Sequence, residues 1–151
     1  MNHYFAPMEG ITGAEYRAVH HRHFPGVDRY YMPFITPTQD RVFTPRELRN
    51  IAPERNVGYC AVPQLLTKNA GDFNWAAGEL WAMGYDEVNL NLGCPSGTVT
   101  AKGKGAGMLA DLEGLDRFLD GVFSAVRGKI SVKTRLGLRD PEEIFPLLER
   151  F

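Results

Sequence analysis

The segment Asn89-Leu90-Asn91-Leu92-Gly93-Cys94-Pro95-Ser96-Gly97 decides how the rest of the chain is interpreted. Residues 87–92 alternate apolar and polar side chains and the alternation stops at Gly93, which predicts a strand that ends in a turn. Pro95 has no backbone N–H and biases Cys94 away from helical geometry, so the thiol is presented at the carboxyl end of the strand. The alternative is a small buried thiol followed by a flexible surface loop.

The neighbours of Cys94 favour a functional site over that alternative. Asn89 and Asn91 place amide groups where an apolar core would take Val or Leu. The loop at residues 98–107 contains Lys102, Lys104 and several glycines, which predicts a mobile, positively charged lid.

Composition is typical of a globular domain, with 151 residues that are 44% hydrophobic and 11% aromatic. The net charge of −1 creates no overall attraction for nucleic acid. Residues 97–139, however, hold eight Lys/Arg against four Asp/Glu, so positive charge is local. Apolar runs stay well below the roughly 18 residues of a membrane span, and the amino terminus does not resemble a signal peptide. We therefore expect a cytoplasmic protein without a membrane partner.

Cysteine and histidine spacing does not predict a metal site. Cys60 and Cys94 are expected to stay reduced, and no Cys/His spacing is typical of zinc. The histidines at 20, 21 and 23 do not share one helix face. They predict, with Arg17 and Arg22, a solvated basic helix end.

The order of the predicted elements indicates a parallel α/β protein. Strands are predicted near residues 3–8, 29–35, 60–66, 87–92 and 129–135, and helices near 12–21, 45–51, 70–83, 112–126 and after 140. Capping boxes are expected at Thr12 and Thr44, and Asp140 is expected to cap the last helix. Five strand-helix units at this spacing place the chemistry at the carboxyl ends of the strands.

Three other features have two interpretations each. The turn at Met8-Glu9-Gly10 either allows close approach of a planar ligand or is an ordinary strand-to-helix turn. Gln64 is either a hydrogen-bonded structural amide or a ligand contact. Lys133 is either a site residue or a strand-end lysine that extends to solvent.

Four segments together resemble one enzyme family. They are Ala6-Pro7-Met8-Glu9-Gly10, Val62-Pro63-Gln64-Leu65, Asn91-Leu92-Gly93-Cys94-Pro95-Ser96 and Val132-Lys133-Thr134-Arg135-Leu136-Gly137. In this order they resemble the tRNA-dihydrouridine synthases, flavin enzymes that reduce uridine in tRNA. The resemblance implies a TIM (β/α)₈ barrel of the FMN-linked oxidoreductase type, with FMN as cofactor and NADPH as reductant.

The resemblance also implies roles for the flavin-side residues. Hydride would pass from the flavin to C6 of uracil, and Cys94 would protonate C5 as a neutral thiol. Pro7 and Met8 would contact the flavin ring, and Gln64 would hydrogen-bond its polar edge. Lys133 would lie near flavin N1 and stabilise the reduced anion.

On the substrate side, the resemblance implies that Asn91 holds the uracil edge. Lys102, Lys104 and Arg135 would meet phosphates of tRNA, and the uridine would leave its stack to reach the flavin.

A full barrel of this type takes about 250 residues, so residues 1–151 are expected to form only its first five units. The remaining units and the family's helical carboxyl-terminal domain are expected to be absent. Open sheet edges then predict self-association. Two other functions stay open: a flavin barrel reductase for a small molecule, and a non-catalytic fragment that binds RNA or protein.

Overall fold

A computed structural model describes residues 1–125 and 127–151. The strands are Tyr4–Phe5 (β1), Arg29–Tyr31 (β2), Ala61–Val62 (β3), Gln64–Leu65 (β4), Glu87–Asn91 (β5) and Lys129–Lys133 (β6). The α-helices are Ala14–His23 (α1), Pro45–Ile51 (α2), Ala70–Ala82 (α3), Gly97–Thr100 (α4), Leu112–Phe123 (α5) and Ile144–Leu148 (α6). Short 3₁₀ segments lie at Pro53–Arg55, Gly105–Ala110 and Pro141–Glu143. Val126, which the helical spacing included, lies outside the described residues.

The strands form two parallel three-stranded sheets, ordered β1-β2-β3 and β4-β5-β6. Pro63 separates the two sheets within one extended segment, and its carbonyl still accepts the Asn89 N–H at 2.8 Å. Pro33 likewise interrupts the strand predicted at 29–35, which returns to the sheet at an Ile35–Leu65 bridge. Because proline cannot donate to a ladder, both predicted strands are shorter than expected. The predicted parallel α/β architecture is confirmed.

The core lies between the sheet and helices α3 and α5. Helix α3 buries Phe73, Ala76, Ala77 and Leu80, as the helical spacing predicted. It ends before Gly84, whose φ of 97° suits glycine. The capping box predicted at Thr44 is confirmed, as is the cap predicted at Asp140, which caps the 3₁₀ segment leading into α6.

The capping box predicted at Thr12 was wrong. Helix α1 begins at Ala14, and its cap residue Gly13 has no side chain to bond with. The buried Thr12 hydroxyl instead accepts the Met8 N–H at 2.9 Å and donates to the Met8 carbonyl at 3.2 Å. Thr12 therefore closes the turn after β1 rather than starting the helix.

The solvated basic end predicted for α1 was wrong at Arg17. This side chain is fully buried and donates to the carbonyls of Thr12 (2.7 Å) and Asn50 (2.9 Å) and to Asn56 Oδ1 (2.7 Å). Burial is the main cause that lowers the pKa of Arg17, since the charged guanidinium has lost its water. His20 and His21 are half-buried and pack on aromatic rings, those of Phe5 and Tyr59.

The amino-terminal edge of the sheet holds a buried carboxylate. Glu87, the first residue of β5, is 5% exposed and pairs with Arg29 of β2 and Lys129 of β6. These ion pairs therefore connect β2, β5 and β6 at their amino-terminal ends, opposite the end of β5 that carries Asn91.

Strands β1 and β6 are the outer strands of the two sheets. Every residue of β5 is buried, whereas β6 is only partly buried along its length. Exposed apolar side chains follow β6, among them Leu136, Phe145 and Leu148. Within residues 1–125 and 127–151, every helix is too short or too polar to cross a membrane.

Tyr85 gives the fold a predicted sensitivity to alkaline pH. Its hydroxyl donates to the Ile51 carbonyl at 2.6 Å, and burial raises the pKa of Tyr85 to about 12. Because the folded state favours the neutral phenol, the contribution of Tyr85 to the free energy of unfolding is complete below pH 10. It is lost as the pH rises through 12, and the total loss is at most about 3 kcal/mol. We expect Tyr85→Phe to cost about 1 kcal/mol at pH 7 and to flatten the loss of stability between pH 10 and 12 in urea titrations.

The matched control is Tyr16→Phe, because Tyr16 lies on the exposed side of α1. This control should follow the parent profile at every pH. An unchanged alkaline profile in Tyr85→Phe would contradict the assignment.

Candidate active site

The turn after β5 is built around the Asn91 side chain. Asn91 Oδ1 accepts the N–H of Gly93 at 3.1 Å and the N–H of Cys94 at 2.9 Å. On the other side, the Cys94 carbonyl accepts the Ala106 N–H at 3.0 Å. Both backbone polar groups of Cys94 are thus fixed, and its free thiol is partly exposed at the strand's carboxyl end. This position agrees with the prediction from the sequence.

Two glycines allow other segments to approach this turn. A Cβ on Gly93 would lie 3.2 Å from the backbone carbon of Thr134, where the end of β6 passes, and the Leu92 N–H bonds the Lys133 carbonyl at 2.9 Å. Gly105 has a φ of 55°, and a Cβ there would lie 2.9 Å from the Cys94 carbonyl oxygen. Gly105 therefore suits both the left-handed backbone and the close contact.

The loop after Cys94 differs from the flexible lid that the sequence predicted. It forms α4 and the 3₁₀ segment Gly105–Ala110, which packs against the core through Ala106, Met108 and Leu109. The glycines give close packing here rather than an open loop. These glycines let the segment pack against the Cys94 carbonyl and Cβ, while Lys102 remains exposed.

A chain of buried side-chain amides runs from the Cys94 turn into the sheet. Asn91 Nδ2 donates to Gln64 Oε1 at 2.8 Å, and Gln64 Nε2 donates to Asn89 Oδ1 at 2.7 Å. Asn89 Nδ2 then donates to Ser131 Oγ at 2.8 Å. Gln64, Asn89 and Asn91 are each at most 5% exposed. We call these four side chains, Ser131, Asn89, Gln64 and Asn91, the amide chain.

Three lysines lie around the loop. Lys102 is exposed and Lys104 is half-buried. The pKa of Lys104 is lowered first by burial and then by the charges of Lys102 and Lys68, with Asp72 acting in the opposite direction. Lys68 was not predicted from the sequence, although its place just after β4 is a strand end where functional residues gather. We call Lys68, Lys102 and Lys104 the lysine patch.

A cavity of about 380 Å³ connects β1 with β5 and β6. Its lining includes Ala6, Asn89, Ser131 and Lys133. Beyond Ala6, Pro7 is half-buried and the Met8 side chain is 49% exposed. The concave side of the sheet therefore brings the segment before Pro7 and the end of β6 to one space.

Comparison with known proteins places these residues in a family. The model of the dihydrouridine synthase (Dus) family matches residues 4–150. The chain belongs to the dihydrouridine synthase family. This family has a TIM-barrel fold, with which the partial parallel α/β architecture agrees.

Two of the three relatives described next match most of this Dus chain, and the third matches a shorter part. It is 33% identical over 143 residues to the "tRNA-dihydrouridine(16) synthase" of Ralstonia nicotianae, covering 89% of this chain and 43% of the relative. It is 28% identical over 138 residues to the "Probable tRNA-dihydrouridine synthase 1" of Synechocystis sp., covering 91% and 38%. Over 68 residues it is 40% identical to the "tRNA-dihydrouridine(20/20a) synthase" of Shewanella oneidensis, covering 45% and 20%. The chain spans less than half the length of these relatives.

All nine candidate residues lie within the Dus match. Direct hydrogen bonds join Gln64, Asn91 and Cys94, and the end of β6 at Lys133 contacts the same turn through its backbone. Lys102 and Lys104 belong to the loop that covers the turn, while Arg135 is exposed beyond β6. Pro7 and Met8 follow β1, which β2 and the β3–β4 segment separate from β5.

Proposed function

We propose that this chain reduces uridine to 5,6-dihydrouridine in tRNA, as part of an FMN-dependent barrel that uses NADPH. The observation that carries the proposal is Cys94, held by backbone bonds on both sides at the carboxyl end of β5. In a parallel α/β barrel this edge carries the chemistry. The relatives named as tRNA-dihydrouridine synthases support tRNA as the substrate.

The proposed architecture is the first five units of a (β/α)₈ barrel, all in one domain over residues 1–151. The consecutive parallel order of the strands supports this arrangement. Three further units and a helical carboxyl-terminal domain would complete the enzyme. In residues 1–151 taken alone, the outer strands β1 and β6 would drive self-association.

The residues at this edge fit the ring of a flavin. The cavity between Ala6 and Lys133 is lined by the Asn89 amide and the Lys133 ammonium group, and it extends to Glu87 and Lys129 at the amino-terminal ends of β5 and β6. A Cβ at Gly10, in the turn after Met8, would meet nothing within 4 Å, so backbone there is open to a planar group. Pro7 and Met8 would contact the ring, Lys133 would lie near N1, and the second hydrogen of Gln64 Nε2 would serve its polar edge. Bound FMN, reduced by NADPH, would supply a hydride for C6 of uracil.

Cys94 supplies the proton that balances this hydride. Its S–H bond breaks as the C5–H bond forms, and the thiolate regains a proton from solvent. The partly exposed thiol is accessible for both steps. Asn91 Nδ2 carries a second hydrogen besides the one given to Gln64, and this hydrogen would bond a carbonyl of the uracil edge.

The lysine patch and Arg135 would bind the tRNA backbone. Three ammonium groups around the loop that covers Cys94 suit phosphates on either side of an extruded nucleotide. This patch favours a polyanionic substrate over a small neutral one.

The first test is visible absorbance of the purified chain with FMN, together with size-exclusion chromatography. We expect flavin absorbance to co-elute with a self-associated protein, and Lys133→Met to weaken FMN binding at least about tenfold because an ion-assisted contact is lost. Arg22→Met is the control, because it removes one positive charge from the exposed end of α1, and Arg22 does not line this cavity.

The second test is dihydrouridine formation at every uridine position of unmodified tRNA, measured by mass spectrometry with NADPH present. Reduction of a small unsaturated substrate without tRNA reduction would instead support a small-molecule reductase. A chain that binds tRNA and never binds FMN would support a non-catalytic module.

A further inference from the structure

The amide chain links the Cys94 turn to the middle of the sheet. Its hydrogen bonds all run in one direction, from the Cys94 N–H through Asn91, Gln64 and Asn89 to Ser131 Oγ. The four distances are 2.7–2.9 Å, and the three amide residues are almost fully buried. Such bonds polarise one another and are strong when water is excluded.

We propose that Asn89 is a positioning residue for Cys94, acting through the orientation of the Gln64 amide. Neither the family resemblance nor the comparisons assign Asn89 a role. The catalytic importance of Asn89 rests on the proposed function of Cys94, whereas its effect on the geometry of the Cys94 turn does not.

The direction of each amide determines that of the next. Asn89 Oδ1 must face Gln64 Nε2, and this contact leaves Gln64 Oε1 to face Asn91 Nδ2. Asn91 can then point only its oxygen at the N–H groups of Gly93 and Cys94. If the Gln64 amide turned over, two NH₂ groups would meet, and Asn91 would have to turn its own NH₂ toward the Cys94 N–H.

Asn89, a residue within the sheet, determines which way the Gln64 amide is oriented. It is 1% exposed and lies on β5, two positions before Asn91. Its own NH₂ is oriented by Ser131 on the neighbouring strand β6. Removal of the Asn89 oxygen therefore leaves the Gln64 amide free to turn over. Asn91 would then lose its fixed orientation, and its hydrogen bonds to the Gly93 and Cys94 N–H groups would weaken.

The test is amide hydrogen exchange by NMR on the flavin-free chain, so its result is independent of flavin binding and turnover. In Asn89→Leu we expect the Gly93 and Cys94 amides to exchange about tenfold faster, as loss of one or two hydrogen bonds implies. Asn89→Asp keeps an oxygen that accepts from Gln64, and we expect it to retain the parent exchange rate at Cys94 even if it unfolds more easily.

Asn74→Leu is the matched control. Asn74 also donates from a partly buried amide, to the Gly121 carbonyl at 2.9 Å, but it lies on α3 away from the turn. It should lower stability without changing Cys94 exchange relative to core amides. Equal exchange at Cys94 in the Leu and Asp variants, or the same acceleration in Asn74→Leu, would overturn the proposal.

Ser131→Ala provides a milder second variant should Asn89→Leu fail to fold. It removes the last acceptor of the amide chain and leaves the Gln64–Asn89 contact in place. We expect exchange at Cys94 to rise by about threefold. This change is smaller than in Asn89→Leu, because it corresponds to only part of the free energy of one hydrogen bond. An unchanged rate in this variant would likewise count against the coupling.

Discussion

Replacement of Cys94 by alanine is expected to lower the rate of tRNA reduction by about 10²–10⁴-fold, the usual contribution of a positioned acid. Alanine keeps the backbone bonds to Asn91 and Ala106, because both use main-chain atoms of residue 94. The flavin ring contacts are also left in place, so FMN binding should be unchanged. The loss should therefore fall on the rate of the chemical step with bound tRNA.

This result is measured by single-turnover dihydrouridine formation with prereduced FMN. The assay uses the chain alone, or the chain joined to the remaining carboxyl-terminal segment of the Ralstonia nicotianae relative, whichever forms dihydrouridine with the parent sequence. Cys60→Ala is the control, because Cys60 is an exposed thiol just before β3, at the amino-terminal edge of the sheet. Normal turnover by Cys94→Ala would remove its role as the acid, and Cys94→Ser should show intermediate activity if proton transfer is the lost step.

Local sequence patterns predicted most of the helices and the position of the thiol. The spacing of Phe73, Ala76, Ala77 and Leu80 predicted α3, because an amphipathic helix must bury one face. Gly93-Cys94-Pro95 predicted a strand that opens into a turn, because its residue types restrict backbone geometry wherever they occur. These features depend on neighbours in sequence, which a single chain reveals.

The errors occurred where tertiary contacts decide the outcome. Arg17 appeared to belong to a solvated helix end, but acceptors from Asn50 and Asn56, more than thirty residues away, replace its water. Asn89 was recognised as an amide on a strand, yet its partners come from β4 and β6. The alternation in β5 predicted a strand but not its partners: all five of its residues are buried, and its polar side chains pair across the sheet.

The two ends of β5 carry different polar contacts. At its carboxyl end Asn91 uses its amide to shape the Cys94 turn. At its amino end Glu87 receives cations from both sides, Arg29 and Lys129. The geometry of the Cys94 turn depends on the strand register, and we expect the buried carboxylate to hold that register from the opposite end of β5.

Glu87→Ala is therefore expected to destabilise the fold by about 3 kcal/mol, near the lower end for removal of one partner from a buried ion pair. The lower end applies because Lys129 is 56% exposed and regains water, while Arg29, at 29%, does so less completely. For a chain of this size the loss corresponds to a fall in Tm of about 10 °C. Calorimetry at pH 7 checks this value.

Glu113→Ala is the matched control, since Glu113 pairs with Arg117 at 3.8 Å while 90% exposed on α5. Such a surface pair contributes at most about 1 kcal/mol, so the control should melt within about 3 °C of the parent. Arg29→Met should fall between the two, because Glu87 keeps Lys129 at 2.9 Å. Equal melting of the Glu87 and Glu113 variants would mean that the buried carboxylate does not hold the three strands together, and that their register is set by core packing alone.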